Sequence, residues 1–104
     1  MRIASWNVNS VRTRLDQVLA WLQQEQPELL CLQETKVADE LFPHAAFEQI
    51  GYRCAISGQK AYNGVALVSR VPLDDVQIGF EALLPGDAEA TALGEQKRVI
   101  SALV

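Results

Sequence analysis

Asn7 and Glu34 are polar residues that each directly follow a short apolar segment with the character of a β-strand. Residues 2–6 lead into Asn7, and the continuous apolar run 29–32 ends at Gln33 and Glu34. Neighbouring strands joined by a crossover helix end at the same edge of a sheet, where strand–helix–strand proteins bind ligands. A carboxylate after a fully apolar strand is costly unless it is paired or coordinated. Since amide and carboxylate oxygens are hard ligands, the pattern favours magnesium or manganese over zinc and leaves room for a phosphate.

Other roles for the same residues stay open on this evidence. An ion pair with Lys36 or with an arginine would also satisfy Glu34, and Asn7 would also suit the cap of a following helix. A zinc site is not expected, because the sequence has one histidine, His44, and no Cys-x-x-Cys pair. His44 follows Pro43 and is predicted to be a solvated surface residue.

The elements needed to position this pair are visible in the hydrophobic pattern. The polar turn 7–10 suits a helix N-terminus, and apolar residues recur at helical spacing from Val11 to Leu22. This helix should stop before Pro27. Strands that alternate with a helix predict an α/β protein with a covered sheet. The other expected elements are a loop or one helical turn at 35–43, a helix at 45–50 ended by Gly51, strands at 52–57, 65–69, 76–80 and 98–104, and loops at 58–64 and 84–95.

Composition excludes several classes of protein. Of the 104 residues, 49% are hydrophobic and 21% are charged, which is typical of a globular domain and not of a disordered chain. No apolar run approaches the ~20 residues that a membrane span needs, and the N-terminus lacks the features of a secretory signal. The protein is therefore predicted to be cytoplasmic, with no membrane partner. In that compartment Cys31 and Cys54, which both lie in apolar runs, are predicted to be reduced core thiols.

The net charge of −4 comes from the C-terminal part of the chain. Residues 1–73 carry seven basic and seven acidic side chains, whereas residues 74–104 carry two basic and six acidic ones. Since there is no basic stripe, composition alone does not favour nucleic-acid binding. A bound divalent cation can nevertheless supply the positive charge that faces a phosphate.

The sequence ends within an apolar segment, residues 98–104, that has strand character and no polar tail. An unpaired apolar strand promotes aggregation. We therefore expect residues 1–104 to be the N-terminal portion of a single larger domain, interrupted within the fold, and to self-associate, whereas the full-length protein would be a monomer. The alternative is a terminal strand docked at the centre of a complete small sheet.

Four local motifs occur in order along the chain: Ser5-Trp6-Asn7-Val8-Asn9, Leu30-Cys31-Leu32-Gln33-Glu34-Thr35-Lys36, Tyr62-Asn63-Gly64-Val65-Ala66-Leu67 and Lys97-Arg98-Val99-Ile100. Together they resemble the exonuclease III family of apurinic/apyrimidinic (AP) endonucleases, within the endonuclease/exonuclease/phosphatase superfamily, over essentially the whole chain. The resemblance implies the N-terminal part of a DNase I-like four-layer α/β sandwich, in which two sheets pack face to face with helices outside. It also implies a Mg²⁺- or Mn²⁺-dependent nuclease that cleaves double-stranded DNA 5′ to abasic sites and acts on 3′ ends as an exonuclease and phosphatase.

The resemblance also assigns the residues of the metal site. Glu34 matches the principal metal-binding glutamate, and Asn7 matches the asparagine that supports the metal site. Gln33 and Lys36 flank Glu34 and are expected near the metal and its ligands, where they contact substrate. Some family members have an aspartate at the position of Asn9. Because this chain has asparagine there, it lacks that second carboxylate.

The resemblance places three further residues. Arg12 matches a basic position near the DNA backbone, and Tyr62 matches an aromatic residue at the DNA-facing rim, where it would stack or contact a phosphate. A half-buried Tyr62 that anchors its own loop is the alternative. Arg98 matches the start of a strand, and its expected role is an ion pair with a carboxylate.

Other parts of the family pattern are missing. The Gly-Asp-x-Asn motif that holds the general base has no match, since the segment Gly86–Glu89 lacks the asparagine, and the later tyrosine and Asp-His pair have no counterpart. Hydrolysis needs such groups besides the metal, so residues 1–104 alone are predicted to have no appreciable nuclease activity. The alternative functions are a superfamily phosphoesterase with a non-DNA substrate, and a non-catalytic domain whose acidic segment 74–104 binds a basic partner.

Overall fold

The computed structural model describes residues 1–78, 97 and 100–103, and all structural statements concern these residues. The elements are β1 (Ile3–Asn7), α1 (Leu15–Glu25), β2 (Leu29–Gln33), a 3-10 turn (Asp39–Leu41), α2 (His44–Glu48), β3 (Arg53–Ser57), β4 (Val65–Ser69), β5 (Asp74–Ile78) and β6 (Ile100–Leu103). The predicted loop 84–95, the segment Gly86–Glu89 and Arg98 lie outside the described residues.

The first four strands form one mixed sheet in the order β1-β2-β4-β3. Strands β1 and β2 are parallel and connected through α1, as the sequence predicted, whereas β4 runs antiparallel to both β2 and β3. The register places Asn7 beside Gln33, and Gln33 beside Val65. The ends of β1 and β2 and the beginning of β4 therefore meet at one edge of the sheet.

The helices cover one face of this sheet. The register puts Leu30 and Val68 side by side on that face, and both are fully buried. Val18 and Leu22 of α1 and Phe47 of α2 belong to the same hydrophobic core and are also fully buried. Burying each such side chain contributes roughly 1.5–3 kcal/mol, so the core fixes α1 across β1 and β2 and sets where those strands end.

The first helix begins later than the apolar spacing predicted. Helix α1 starts at Leu15, and its N-cap residue Arg14 makes no side-chain capping hydrogen bond. Val11 is fully buried, but its backbone N–H donates to the carbonyl of Thr35 rather than to a helical partner. Residues 8–11 are bonded to the segment after β2, and the chain then makes a turn in which the Arg14 N–H donates to the Ser10 carbonyl at 3.2 Å before α1 begins, so Asn7 does not cap α1.

The second sheet is a two-stranded antiparallel ribbon of β5 and β6, and β6 contacts β4. The predicted strand 76–80 is observed as Asp74–Ile78, with residues 79 and 80 outside the described part. Val76, Ile78 and Leu103 are exposed apolar residues of this ribbon. The mixed α/β class predicted from the sequence is confirmed.

Cys31, His44 and Cys54, for which the sequence predicted no functional role, are all partly buried. Cys31 and Cys54 are free thiols, and burial together with the charge of Glu48 raises the pKa of Cys54 to about 12, so it is protonated at neutral pH. The ring of His44 lies 5.0 Å from that of Phe42 and is half-buried, so the prediction of a solvated surface histidine is wrong. Neither described helix has the length and apolarity to cross a membrane.

Candidate active site

Three segments of main chain lie side by side at the edge of the sheet where β1 and β2 end. One segment continues β1, one continues β2 and one precedes β4. Backbone hydrogen bonds join them directly: Val8 N–H to Gln33 O (3.0 Å), Ser10 N–H to Glu34 O (2.8 Å), Val11 N–H to Thr35 O (3.0 Å), Thr35 N–H to Gly64 O (3.2 Å) and Lys36 N–H to Asn63 O (2.9 Å). Side chains on these segments are therefore held at fixed separations.

Gly64 allows the segment before β4 to lie directly against Thr35. Its φ is +91°, and a Cβ added to it would overlap the hydroxyl oxygen of Thr35, which is 1% exposed. Any larger residue would push the 63–64 segment away from the end of β2. The backbone N–H of Gly64 also donates to the carbonyl of Lys97 at 2.9 Å, which ties the same point to the region before β6.

Glu34 lies at the centre of the three segments, and its side chain is 44% exposed. Asn7 donates a hydrogen bond from Nδ2 to Oε2 of Glu34, and Lys36 Nζ lies 3.7 Å from Oε1. Asn7 is itself oriented, because its Oδ1 accepts the backbone N–H of Asn9 at 3.1 Å. A carboxylate has about four acceptor sites, so these two partners orient Glu34 and leave it able to bind a further ligand.

Lys36 is held between two acceptors. Its ammonium group pairs with Glu34 on one side and donates to Oδ1 of Asn9 on the other. The ion pair between Glu34 and Lys36 was an open alternative in the sequence, and it is present. This ion pair leaves one side of the Glu34 carboxylate open to solvent.

Left-handed backbone conformations concentrate at this site. Glu34 and Lys36 have φ values of +53° and +54°, and Asn9, Ser10 and Asn63 have φ values of +45°, +89° and +48°. Such conformations cost on the order of 1–2 kcal/mol for residues other than glycine. The surrounding hydrogen bonds maintain this strained backbone, which is the usual condition of a functional site.

A pocket of about 380 Å³ opens beside Glu34. Its lining residues are Asn7, Gln33, Glu34, Asn63, Gly64, Val65 and Lys97. Within residues 1–78, 97 and 100–103, no three His, Cys, Asp or Glu side chains group closely enough to hold a metal ion by themselves. One carboxylate surrounded by amides fits a magnesium-type ion, which uses one or two protein carboxylates and completes its shell with water and phosphate.

Comparison with known proteins identifies the family. Residues 4–104 match the Endonuclease/Exonuclease/phosphatase family. The chain belongs to this family. Exodeoxyribonuclease III of Haemophilus influenzae is 39% identical over 102 residues, which are 98% of this chain and 35% of that protein. DNA repair nuclease APEX1 of Danio rerio is 32% identical over 85 residues, 77% of this chain and 27% of that protein. The chain thus spans about a third of the length of these relatives.

Solved structures of family members share the fold. The 3′–5′ exonuclease NExo from Neisseria meningitidis is 47% identical, with a TM-score of 0.86, and the match covers 100% of this chain and 38% of that one. An AP endonuclease from Archaeoglobus fulgidus is 40% identical, with a TM-score of 0.84, and covers 98% and 36%. The resemblance to exonuclease III proteins inferred from the four motifs is confirmed.

The structure brings some of the residues expected from the family pattern together and leaves others apart. Asn7, Gln33 and Glu34 line the pocket, although the side-chain amide of Gln33 donates to Ser5 Oγ at 2.9 Å. Arg12 is exposed in the turn before α1 and does not line the pocket. Tyr62 is 67% exposed on its loop and does not line it either, so it is not a half-buried anchor.

Other features of this family member were missed from the sequence. Gly64 and Thr35 lie within the sequence motifs but had no predicted role, and the contact between Asn9 and Lys36 was not predicted. The signal for Gly64 was a glycine directly before an apolar strand, which often marks close backbone approach. No comparable sequence signal marks Thr35, because its burial depends on two segments far apart in the chain.

Proposed function

We propose that this chain supplies the cation-binding and DNA-contacting part of a DNA repair nuclease of the exonuclease III type. The reaction is hydrolysis of the phosphodiester 5′ to an abasic site, with 3′→5′ exonuclease activity, and the cofactor is Mg²⁺ or Mn²⁺. One observation carries the proposal: Glu34 is oriented by Asn7 and Lys36 beside an open pocket at the carboxyl ends of β1 and β2. The similarity to exodeoxyribonuclease III and to an AP endonuclease supports a DNA substrate.

Each residue of the site has a distinct role in this proposal. Glu34 holds the cation, and Asn7 fixes the carboxylate through its hydrogen bond. A bound divalent cation would neutralise the charge of the scissile phosphate and stabilise the leaving 3′-oxygen. Lys36 adds a positive charge beside the carboxylate, at the position where a phosphate would approach.

The remaining substrate contacts lie at the rim. Arg12 and Tyr62 are both exposed, which suits contact with a DNA backbone outside the pocket. Gln33 lines the pocket wall beside Asn7 and would contact the bound strand there. The full-length protein is proposed to act as a cytoplasmic monomer on double-stranded DNA.

The cation site can be tested in the 104-residue chain by titration with Mn²⁺, followed by electron paramagnetic resonance of the free ion. We expect Glu34→Gln to weaken Mn²⁺ binding by about tenfold or more, because it removes the only carboxylate that lines the pocket among the described residues. Glu28→Gln is the matched control, since Glu28 precedes the same strand at its opposite end and pairs with Arg70. Equal Mn²⁺ affinity in the wild type and Glu34→Gln would overturn the proposal.

Hydrolysis can be tested with an abasic-site duplex and Mg²⁺. The 104-residue chain is expected to give no appreciable incision, since its sequence lacks the general base and the transition-state groups of the family pattern. A chimera in which this chain replaces the matched segment of Haemophilus influenzae exodeoxyribonuclease III should incise the duplex, and Glu34→Gln should abolish that incision. Robust incision by residues 1–104 alone, or full activity of the Glu34→Gln chimera, would contradict the assignment.

A panel of substrates separates DNA hydrolysis from the other phosphoester chemistries of the superfamily. The chimera is expected to act on abasic DNA and on 3′ ends and not on inositol phosphates or sphingomyelin. A folded wild-type chain that binds neither Mn²⁺ nor DNA would instead favour a non-catalytic binding domain.

A further inference from the structure

Positively charged residues lie beside Glu34. Glu34 contributes one negative charge and Lys36 one positive charge, Asn7 and Asn9 are neutral, and Lys97 lines the same pocket. The ammonium group of Lys36 is held between two acceptors, because Asn9 accepts a hydrogen bond from it while Glu34 lies 3.7 Å away on the other side. A dication that approaches Glu34 therefore meets a neighbouring positive charge that weakens the attraction of the carboxylate.

Asn9 is built into this arrangement through its backbone as well. Its φ is +45°, and its backbone N–H is fixed by Oδ1 of Asn7 at 3.1 Å. The same Asn7 side chain donates to Glu34. Asn7 thus joins the carboxylate that would hold the cation to the residue that holds the ammonium group.

We propose that Asn9 is a positioning residue that fixes Lys36 against Glu34, so that the divalent cation and the phosphodiester bind as a pair rather than independently. This inference rests on the proposed function and deepens it. A phosphodiester brings one negative charge, which both the cation and Lys36 can contact. The site then becomes more favourable for the cation when the phosphate is present, since the carboxylate no longer has to satisfy two cationic groups alone.

The test is the Mn²⁺ dissociation constant of the 104-residue chain with and without an abasic-site duplex. The wild type is expected to bind Mn²⁺ about tenfold or more tightly in the presence of the duplex, which corresponds to about 1.4 kcal/mol of coupling. Asn9→Asp should tighten Mn²⁺ binding without DNA by about tenfold, because the added carboxylate neutralises Lys36 and releases Glu34 to the cation. The enhancement by DNA should fall accordingly.

Ser10→Asp is the matched control for a change in charge alone. It adds one negative charge at the next residue, where the Ser10 side chain accepts the Thr13 N–H rather than contacting Lys36. Asn9→Gly is a second variant that keeps the left-handed backbone and removes the acceptor without adding charge, and it should reduce the enhancement by DNA at least threefold. Circular dichroism verifies that each variant is folded.

The outcomes distinguish this inference from the function on which it rests. If Glu34→Gln abolishes Mn²⁺ binding but the duplex changes the wild-type affinity less than threefold, the coupling is wrong and the cation site stands. An equal effect of Ser10→Asp and Asn9→Asp also overturns the role of Asn9. If Glu34→Gln leaves Mn²⁺ binding unchanged, the proposed function itself fails.

Discussion

At the end of the sheet where β1 and β2 begin, charged side chains are paired with one another and with main-chain carbonyls. Arg2 contacts Glu25, and Arg70 contacts Glu28 at 3.4 Å. The carbonyl of Pro27 accepts both the Tyr52 hydroxyl at 2.7 Å and Nε of Arg70 at 3.2 Å. The charged and polar groups of this end, called here the closed end, thus have matched partners, although a pocket of about 510 Å³ lies beside Tyr52 and Arg70.

The opposite end uses similar residue types without closing. Glu34 has an amide and an ammonium partner, stays 44% exposed and faces a pocket. Several neighbours of Glu34 are non-glycine residues with a left-handed backbone conformation. Among the described residues that flank β2 at the closed end, Gln26 is the one non-glycine residue with that conformation. Charged residues beside strands thus do not by themselves identify a functional site. The combination of incomplete pairing and strained backbone distinguishes a site from a structural ion pair.

The largest expected difference between the two ends is the loss of stability when a glycine is replaced by alanine. Gly64→Ala should lower the free energy of unfolding by about 3 kcal/mol or more, because the added methyl overlaps Thr35 and the φ of +91° is unfavourable. Gly51→Ala, at a similar φ of +88° but with no atom within 4 Å, should cost only about 1 kcal/mol. Urea denaturation of both variants measures this, and equal losses would show that the close approach at Gly64 contributes nothing.

A smaller loss is expected from the buried hydroxyl at the closed end. Tyr52→Phe removes the hydrogen bond to the Pro27 carbonyl and should lower stability by about 1 kcal/mol. The carbonyl keeps its contact with Arg70, so the cost of an unpaired acceptor is avoided. Thermal unfolding tests the loss, and Mn²⁺ affinity should not change. A change in that affinity would mean that the two ends are coupled.

A substitution at Glu34, the strained residue of the site, is predicted to increase stability rather than reduce it. Glu34→Gly should raise the free energy of unfolding by up to about 1 kcal/mol, since glycine accepts φ of +53° without strain, while Mn²⁺ binding is lost. Gln26→Gly relieves a φ of +48° at the C-terminus of α1 and should stabilise similarly without affecting Mn²⁺. Destabilisation by Glu34→Gly would show that the site is maintained without strain.

The smallest expected effect is the pH dependence of the closed end. Desolvation acts to raise the pKa of Glu28, but hydrogen bonds from the Arg2 backbone and from Arg70 together outweigh it, so the pKa lies below its ordinary value of 4.5. The resulting stability is present above pH 4.5 and is lost as pH falls through the lowered pKa. Acid titration of the melting temperature should therefore show a slightly shallower decline for Glu28→Gln, and an unchanged or steeper decline would contradict the pairing.

The sequence was sufficient for the parallel pair β1–β2 and for the meeting of Asn7 with Glu34, because both follow from apolar periodicity and from the geometry of a crossover connection. It was also sufficient for a short second helix, although α2 spans His44–Glu48 rather than the predicted 45–50 and ends before Gly51, whose φ is +88°. These features depend on local pattern and on one topological rule.

The rest depended on contacts between distant segments. The late start of α1 follows from backbone bonding between residues 8–11 and 33–35, which propensity does not encode. The same is true of Thr35 beneath Gly64 and of the hydrogen bond from Lys36 to Asn9. His44 is a local case: its ring is tilted at 57° to that of Phe42, and the apolar residues on both sides of it in the sequence were an unused signal of its burial.

The hydrogen bonds that assemble Glu34 join residues 27 positions apart in the chain. Contacts of such separation form only after large loops have closed, so they belong to the slow part of folding. The helices and the close turn at Gly51 can form before them. Recovery of Mn²⁺ binding after dilution from denaturant should consequently lag behind recovery of helical circular dichroism, which makes the cation a kinetic reporter of the last tertiary contacts to form.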